Sequence, residues 1–406
     1  MLTYNRNDIY LFLVYILSLF PVLAENILET LLGPVVSRIL IILSMIIIFF
    51  IIFFIRKKIN ISIFTAMLFF LVVYKLIIFF ALKDPNVIVE NRNNLITPYG
   101  ALGYFVLFLF LDSHLSSPNS LRLILKAMMY VMTISVLLNI FITGDFQIAD
   151  NLSTFREAIS TGYTNSRSWL FGHRNLIFIH HLMWIGISFI YYSISNKNYQ
   201  KIFYIQMLIT FFVGFVSWNS TMLMVSAIIF VIYVFENSIF RRINILIYLT
   251  SYFVLEFGIV FFRIQEFFSY IIVNLLNRNL TFTGRTFIWN GYIDEFLNSS
   301  MMNKFIGNLG VTEQLVNTHN MFLGLMLYSG LIGLFLYFSI VYLSAIQLYR
   351  FKNMKISKIL SIIYFGFLVN SLTMEFYLQP LIVLYFGYSV SKFLSIRDTL
   401  IINNLD

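Results

Sequence analysis

Apolar residues run along this chain in long stretches, and polar residues are confined to the short intervals between them. About twelve such stretches occur, at 9–24, 35–55, 60–82, 98–111, 121–143, 175–195, 202–217, 219–235, 243–262, 319–346, 359–374 and 376–393. A helix needs about 20 apolar residues to cross the hydrocarbon core of a bilayer. The pattern therefore predicts an all-α, polytopic integral membrane protein with about 12 transmembrane helices. The runs at 98–111, 202–217, 359–374 and 376–393 are the shortest or most closely abutted. The first run closes on Val22-Leu23-Ala24, a small-residue end of the kind found at signal-peptide cleavage sites. Only Arg6 precedes it as a cation, so it is read as a retained span.

Composition agrees with the pattern. Hydrophobic residues make up 60% of the 406 and charged residues 11%, well under the roughly 25% usual in soluble domains. The chain has no cysteine, which removes disulfides, thiolate nucleophiles and Cys metal sites from consideration. The net charge of +9 is scattered through short loops instead of forming a phosphate-tracking stripe, so no nucleic-acid partner is expected.

Basic residues orient the spans. With the N-terminus in the cytoplasm, the inner segments receive Arg6, Arg56, Lys57, Lys58, Arg122, Lys126, Lys197, Lys201, Arg241, Arg242, Arg350, Lys352, Lys355, Lys358, Lys392 and Arg397. Most of the remaining cations lie in longer outer loops, where charge weighs less on topology. Both termini are then cytoplasmic. Two outer loops, about 144–174 and 263–318, are too long for simple turns and mix aromatic with charged residues, which favours a functional role. No internal repeat or linker divides residues 1–406, so a single membrane domain with an outward-facing working surface is expected.

Candidate chemistry gathers in those loops. In "TGRTFIWNGYIDEFLNSS" (283–300), Ile288, Trp289, Tyr292, Ile293 and Phe296 recur at helical spacing, opposite Asn290, Asp294, Glu295 and Asn298. The spacing predicts an interfacial helix with its aromatic stripe among lipid headgroups. Arg285 begins that stripe, and its forked guanidinium suits a phosphate or diphosphate; an arginine snorkelling to the interface gives the same pattern. His319 stands where the loop meets the tenth span. A ring that titrates near pH 6.5 suits general-base work or anion contact, whereas Asn317, Thr318 and His319 could equally cap a helix.

The shorter loop ends in "SRSWLFGHRNLIF" (166–178), where Arg167 and Arg174 could form a second anion contact or serve as interface anchors. His180 and His181 within the next span are expected to pack or hydrogen-bond in the bundle. Lys75 and Glu256 lie within spans about 10 Å from their outer ends, a depth that fits either a polar cavity opening outward or a mutual pair. No phosphate loop of the GxxxxGK type, HExxH or outer Asp-x-Asp pair is present, and adjacent Asp294 and Glu295 diverge on a helix. No cofactor is expected.

Three elements in order resemble the bacterial O-antigen and capsular polysaccharide polymerases (Wzy type) and the related O-antigen ligases. They are "FGHRN" (171–175), "GRTFIW" (284–289) followed by "IGNLG" (306–310), and "THNMFLGLMLYSGLIGLFLYF" (318–338). The resemblance covers roughly residues 160–345; the N-terminal half agrees in hydropathy alone. One element departs: "VSWNSTMLM" (216–224) lacks the Ser-Arg that the family often has there. The resemblance implies a multi-pass protein of a bacterial cytoplasmic membrane that polymerises lipid-linked oligosaccharide repeat units at the outer face. Its substrate would be a polyprenyl-diphosphate-linked oligosaccharide, with the bilayer, a chain-length regulator and a flippase as partners.

Carried onto these positions, the resemblance implies Arg285 at the leaving diphosphate, with Arg174 and Arg167 in support. His319 becomes the base at the acceptor hydroxyl, with Glu256 or Glu313 as substitutes. Trp289, Asn320 and Asn175 would contact glycan or lipid diphosphate; Lys75, outside the resemblance, is counted with them from its depth in the third span. A ligase that moves finished glycan onto another acceptor fits the same features, and a flippase fits the span count though not the one-sided polar residues.

Overall fold

The computed structural model of the protein describes residues 6–23, 25–51, 61–82, 98–114, 118–143, 174–195, 199–217, 219–236, 238, 243–270, 285–307, 318–374, 380–387 and 389–390. Among them the chain is helical, with no strand. Most of the helices fall on the apolar runs. In order they are α1 (Arg6–Leu23), α2 (Glu25–Leu32), α3 (Pro34–Phe50), α4 (Ile63–Leu82), α5 (Pro98–His114), α6 (Pro118–Thr143) and α7 (Arg174–Ile194). Then come α8 (Tyr199–Val216), α9 (Ser220–Val234), α10 (Ile245–Glu256), α11 (Arg285–Asn298), α12 (Met301–Ile306), α13 (Met321–Tyr349) and α14 (Lys355–Ser371). A further helix occupies 380–387. Among the described residues, four stretches are long and apolar enough to cross a membrane: Asn119–Phe141, Leu176–Ile194, Tyr199–Val216 and Met321–Tyr349. These apolar helices are compatible with a membrane-embedded protein.

Burial within the bundle follows from which face carries polar atoms. α7 is central: residues 177–191 are all buried, and it packs against α6, α8 and α14. Its polar groups find partners across helices. His181 Nδ1 lies 3.0 Å from Thr210 Oγ1 and Trp184 Nε1 donates to Thr133 Oγ1 at 2.8 Å. Gln206 Nε2 donates to Ser188 Oγ at 2.8 Å. α8 is arranged oppositely to a helix of a soluble protein. Gln206 and Thr210 point inward, while Ile205, Leu208, Phe212 and Phe215 are exposed at helical spacing. That inversion is what a lipid-facing helix requires, since hydrocarbon offers no partner for a polar group.

A buried carboxylate fastens three helices at one end of the bundle. Asp112, near the end of α5, accepts from the Ser62 N–H at the start of α4 (2.8 Å) and from the Tyr385 hydroxyl. Removing it strands one buried and one half-buried donor, so Asp112→Ala is expected to cost about 2–4 kcal/mol. Asp112→Asn, which keeps one acceptor oxygen, should cost less; a detergent unfolding series that ranks the two the other way would overturn this account. A second link joins Glu236 to Lys358 (3.8 Å). Burial pushes the Glu236 carboxyl up, and Lys358 and Lys355 partly offset that rise.

Two expectations are corrected by the fold. The run at 319–346 is not one uniform span. It belongs to the 29-residue α13, which breaks at Gly330 (φ 60°, ψ −173°). The aromatic stripe of α11 does not lie among headgroups either: Trp289 and Tyr292 are each 1% exposed, because that face packs into the protein.

Candidate functional site

The site is assembled at the end of α10. Asn244 caps the start of this helix through Leu246 N (3.0 Å), and an apolar run carries it to Glu256, which has no exposed surface. Beyond Glu256 the helix widens into a π-turn, Phe257–Phe261, closed by Phe262 N to Phe257 O at 3.0 Å. Arg263 follows with φ 52°, and a 3-10 turn, Ile264–Phe268, completes the exit. Single π-turns inside helices recur at functional sites.

α11 crosses this end. Its inward face places Trp289 on Val260 of the π-turn and on Phe322, Leu323 and Met326 of α13, a small core separate from the main one. Arg285 opens α11 one turn before Trp289 and is half-buried, at the seam where the helix meets the protein. The Trp289 indole N–H donates to the Thr318 carbonyl at 3.1 Å, which ties α11 to the segment leading into α13.

That segment, Thr318-His319-Asn320, resolves the capping alternative. Asn320 is the cap: its side chain accepts from Leu323 N at 2.8 Å, and its Nδ2 donates to Leu372 O at 3.2 Å. The Thr318 hydroxyl donates to Asn320 O at 2.6 Å and accepts from Asn320 N at 3.2 Å. These bonds pinch the turn and hold His319, half-buried between them, at φ 51°. Among the described residues, Arg263 and His319 are the non-glycine positions in the left-handed region. Such backbone costs about 1–2 kcal/mol per residue and concentrates at functional sites. Histidine is among the side chains that enter this region more readily.

Glu256 lies behind the turn. Its carboxyl lies near the Asn320 amide and the Tyr252 hydroxyl, though neither carboxyl oxygen makes a hydrogen bond of normal geometry, and Tyr252 lies near Ser371 on α14. The structure thus brings Glu256, Trp289, His319 and Asn320 together, with Arg285 on the same helix as Trp289. The side chains of Trp289 and Asn320 are 1% and 0% exposed, and both hydrogen-bond within the frame.

Arg174 and Asn175 open α7, and Lys75 lies in α4, but the side chains of all three lie outside the described residues. Arg167, Gly284, Glu313 and Asn317 lie wholly outside them. Among the described residues, no three His, Asp or Glu side chains come close enough together to hold a metal.

Sequence reasoning missed Tyr74 and Arg263, and it read Gly307 and Gly330 only as parts of the stretches 306–310 and 318–338. The Tyr74 hydroxyl donates to Ser329 O at 2.8 Å, beside the break in α13. Gly307 follows α12 and crosses α13 backbone to backbone at that break. The available signal for the two glycines was that each opens a Gly-x-x-Gly pattern, 307–310 and 330–333. Tyr74 carried none, because a tyrosine within an apolar run looks like any interfacial aromatic. Chemically, the arrangement offers one guanidinium at a seam, a titratable ring on a fixed left-handed turn, and a buried carboxyl behind that turn. No protein-family model matches the chain, and no curated protein does.

Proposed function

We propose that the protein is a metal-independent glycosyltransferase of about twelve spans, with both termini cytoplasmic, that polymerises polyprenyl-diphosphate-linked oligosaccharide repeat units at the outer face of a bacterial cytoplasmic membrane. The observation that carries this reading is that Glu256 and a strained His319 meet at one end of an apolar bundle, with Arg285 opening the helix whose Trp289 holds the same turn. The ordered resemblance to Wzy-type polymerases supplies the substrate class.

In the proposed step, the acceptor sugar hydroxyl attacks the anomeric carbon of the donor glycan. A C–O bond forms there as the bond to the lipid diphosphate breaks, and the hydroxyl proton passes to His319. Arg285 meets the charge that develops on the departing diphosphate. Fixed contacts of that kind contribute about 10²–10³ in rate. Because Glu256 has no exposed surface, its role is to back the turn through Asn320 instead of serving as the base. Free energy comes from the activated lipid.

Purified protein in liposomes with a lipid-linked repeat unit should yield a ladder of products without added nucleotide or metal. Product carried as a single block onto a different acceptor would make the protein a ligase. Repeat units that merely change leaflet would make it a transporter, and the enzyme reading would fall.

A further inference from the structure

Arg263 belongs to none of the roles assigned above, yet its surroundings are unusual. It follows the π-turn that begins directly after Glu256, and its own backbone is left-handed at φ 52°. Its guanidinium donates through Nη2 to the Asn290 side-chain oxygen on α11, and Nη1 lies 3.6 Å from Glu266 Oε1. The Glu266 pair joins neighbouring, partly exposed residues and contributes little. The bond to Asn290 crosses between elements. Asn290 is the residue after Trp289, whose indole holds Thr318; Thr318 pins Asn320; and Asn320 lies against Glu256. The contacts therefore close a ring from the end of α10, through α11 and the turn before α13, back to α10. An arginine acting only as an interface anchor would require neither the left-handed backbone nor a partner on another helix.

Resting on the polymerase reading for its catalytic consequence, we propose that Arg263 is a positioning residue: its clamp on Asn290 sets α11 against the end of α10 and so fixes Arg285 relative to His319. The bond is the member of the ring with the most exposed partners, which makes it the place where α11 could otherwise drift. A displacement of about 1 Å in a catalytic group can cost about 10²-fold in rate.

The chain has no cysteine, so spin labels can be placed without altering it first. Val254→Cys on α10 and Leu297→Cys on α11 both sit on exposed positions. Pulsed electron resonance on this pair should give a narrow distance distribution in the parent. It should broaden or shift in Arg263→Ala and in Asn290→Ala, and return with Asn290→Asp, which keeps the acceptor oxygen. In turnover of the lipid-linked repeat unit, each alanine variant should lose about tenfold or more in kcat with KM little changed. The double variant should be no worse than either single one, as expected for two ends of one contact.

An unchanged distance distribution, or losses that multiply in the double variant, would overturn the clamp. If Arg263→Ala does not fold, the Asn290→Ala and Asn290→Asp pair carries the same test. Distances that respond as stated in a protein that makes no polymer would sink the polymerase reading and leave the clamp standing.

Discussion

His319→Ala and His319→Asn are both expected to halt chain extension, but only the alanine variant should also loosen the site. The ring at this position would take the proton from the acceptor hydroxyl, and general-base groups contribute about 10²–10⁴ in rate. Both substitutions remove that acceptor. They differ in backbone terms: His319 sits at φ 51°, a region that asparagine enters readily and alanine does not. His319→Asn should therefore unfold close to the parent, while His319→Ala should be destabilised by about 1 kcal/mol. Rates measured beside unfolding curves separate the two contributions. If His319→Asn turns over within a few-fold of the parent, the residue is a turn former and the mechanism built on it fails. Arg285→Ala should lose about 10²–10³ in rate, with Arg285→Lys intermediate because an ammonium lacks the planar fork.

The helices were legible because lipid and helix geometry leave few alternatives. In hydrocarbon every backbone polar group must be satisfied within its own segment, so a long apolar run has one available form. The runs at 175–195 and 121–143 accordingly meet α7 and α6 closely. What apolarity does not report is what an apolar face touches, since protein interior and lipid tails are equally apolar. Trp289 and Tyr292 read as headgroup anchors for that reason, and they are core residues instead. The site was legible in residue type but not in role. Glu256 and His319 stood out as ionisable groups at a membrane boundary, and Asn320 as a polar neighbour. Only three-dimensional contact shows that Asn320 is the cap and Glu256 its buried neighbour. Arg263 had no distinguishing pattern, because a left-handed backbone leaves no mark on an arginine's sequence context.

The break in α13 carries the largest expected effect on folding. Unbroken, its 29 residues would extend about 43 Å, well beyond a hydrocarbon core of about 30 Å. The break at Gly330 divides it into Met321–Ser329, wholly buried, and a second part, 331–349, of about 28 Å, which matches that thickness. The backbone just after α12 occupies the gap so created. A methyl group at Gly330 would collide with the Phe305 carbonyl and the Gly307 N–H; one at Gly307 would meet the Tyr328 carbonyl carbon at 2.6 Å. Both obstacles are backbone, so no side chain can rotate to relieve them. Tyr74 completes the junction by donating to Ser329 O.

Gly330→Ala is expected to cost more than about 4 kcal/mol, enough to prevent folded protein from accumulating. Tyr74→Phe should cost only about 1 kcal/mol, the value of one hydrogen bond. Gly33 is the control. Its φ of 83° is also left-handed, but nothing lies within 4 Å of a methyl group placed there. Gly33→Ala should therefore show torsional strain alone, about 1–2 kcal/mol. Expression and unfolding of the two alanine variants side by side isolate the contribution of the crossing. Equal losses would mean that torsion accounts for everything and that the two backbones are free to part. A much larger loss at Gly330 means that the crossing holds the half-helix Met321–Ser329 in place, and with it the turn on which His319 is mounted.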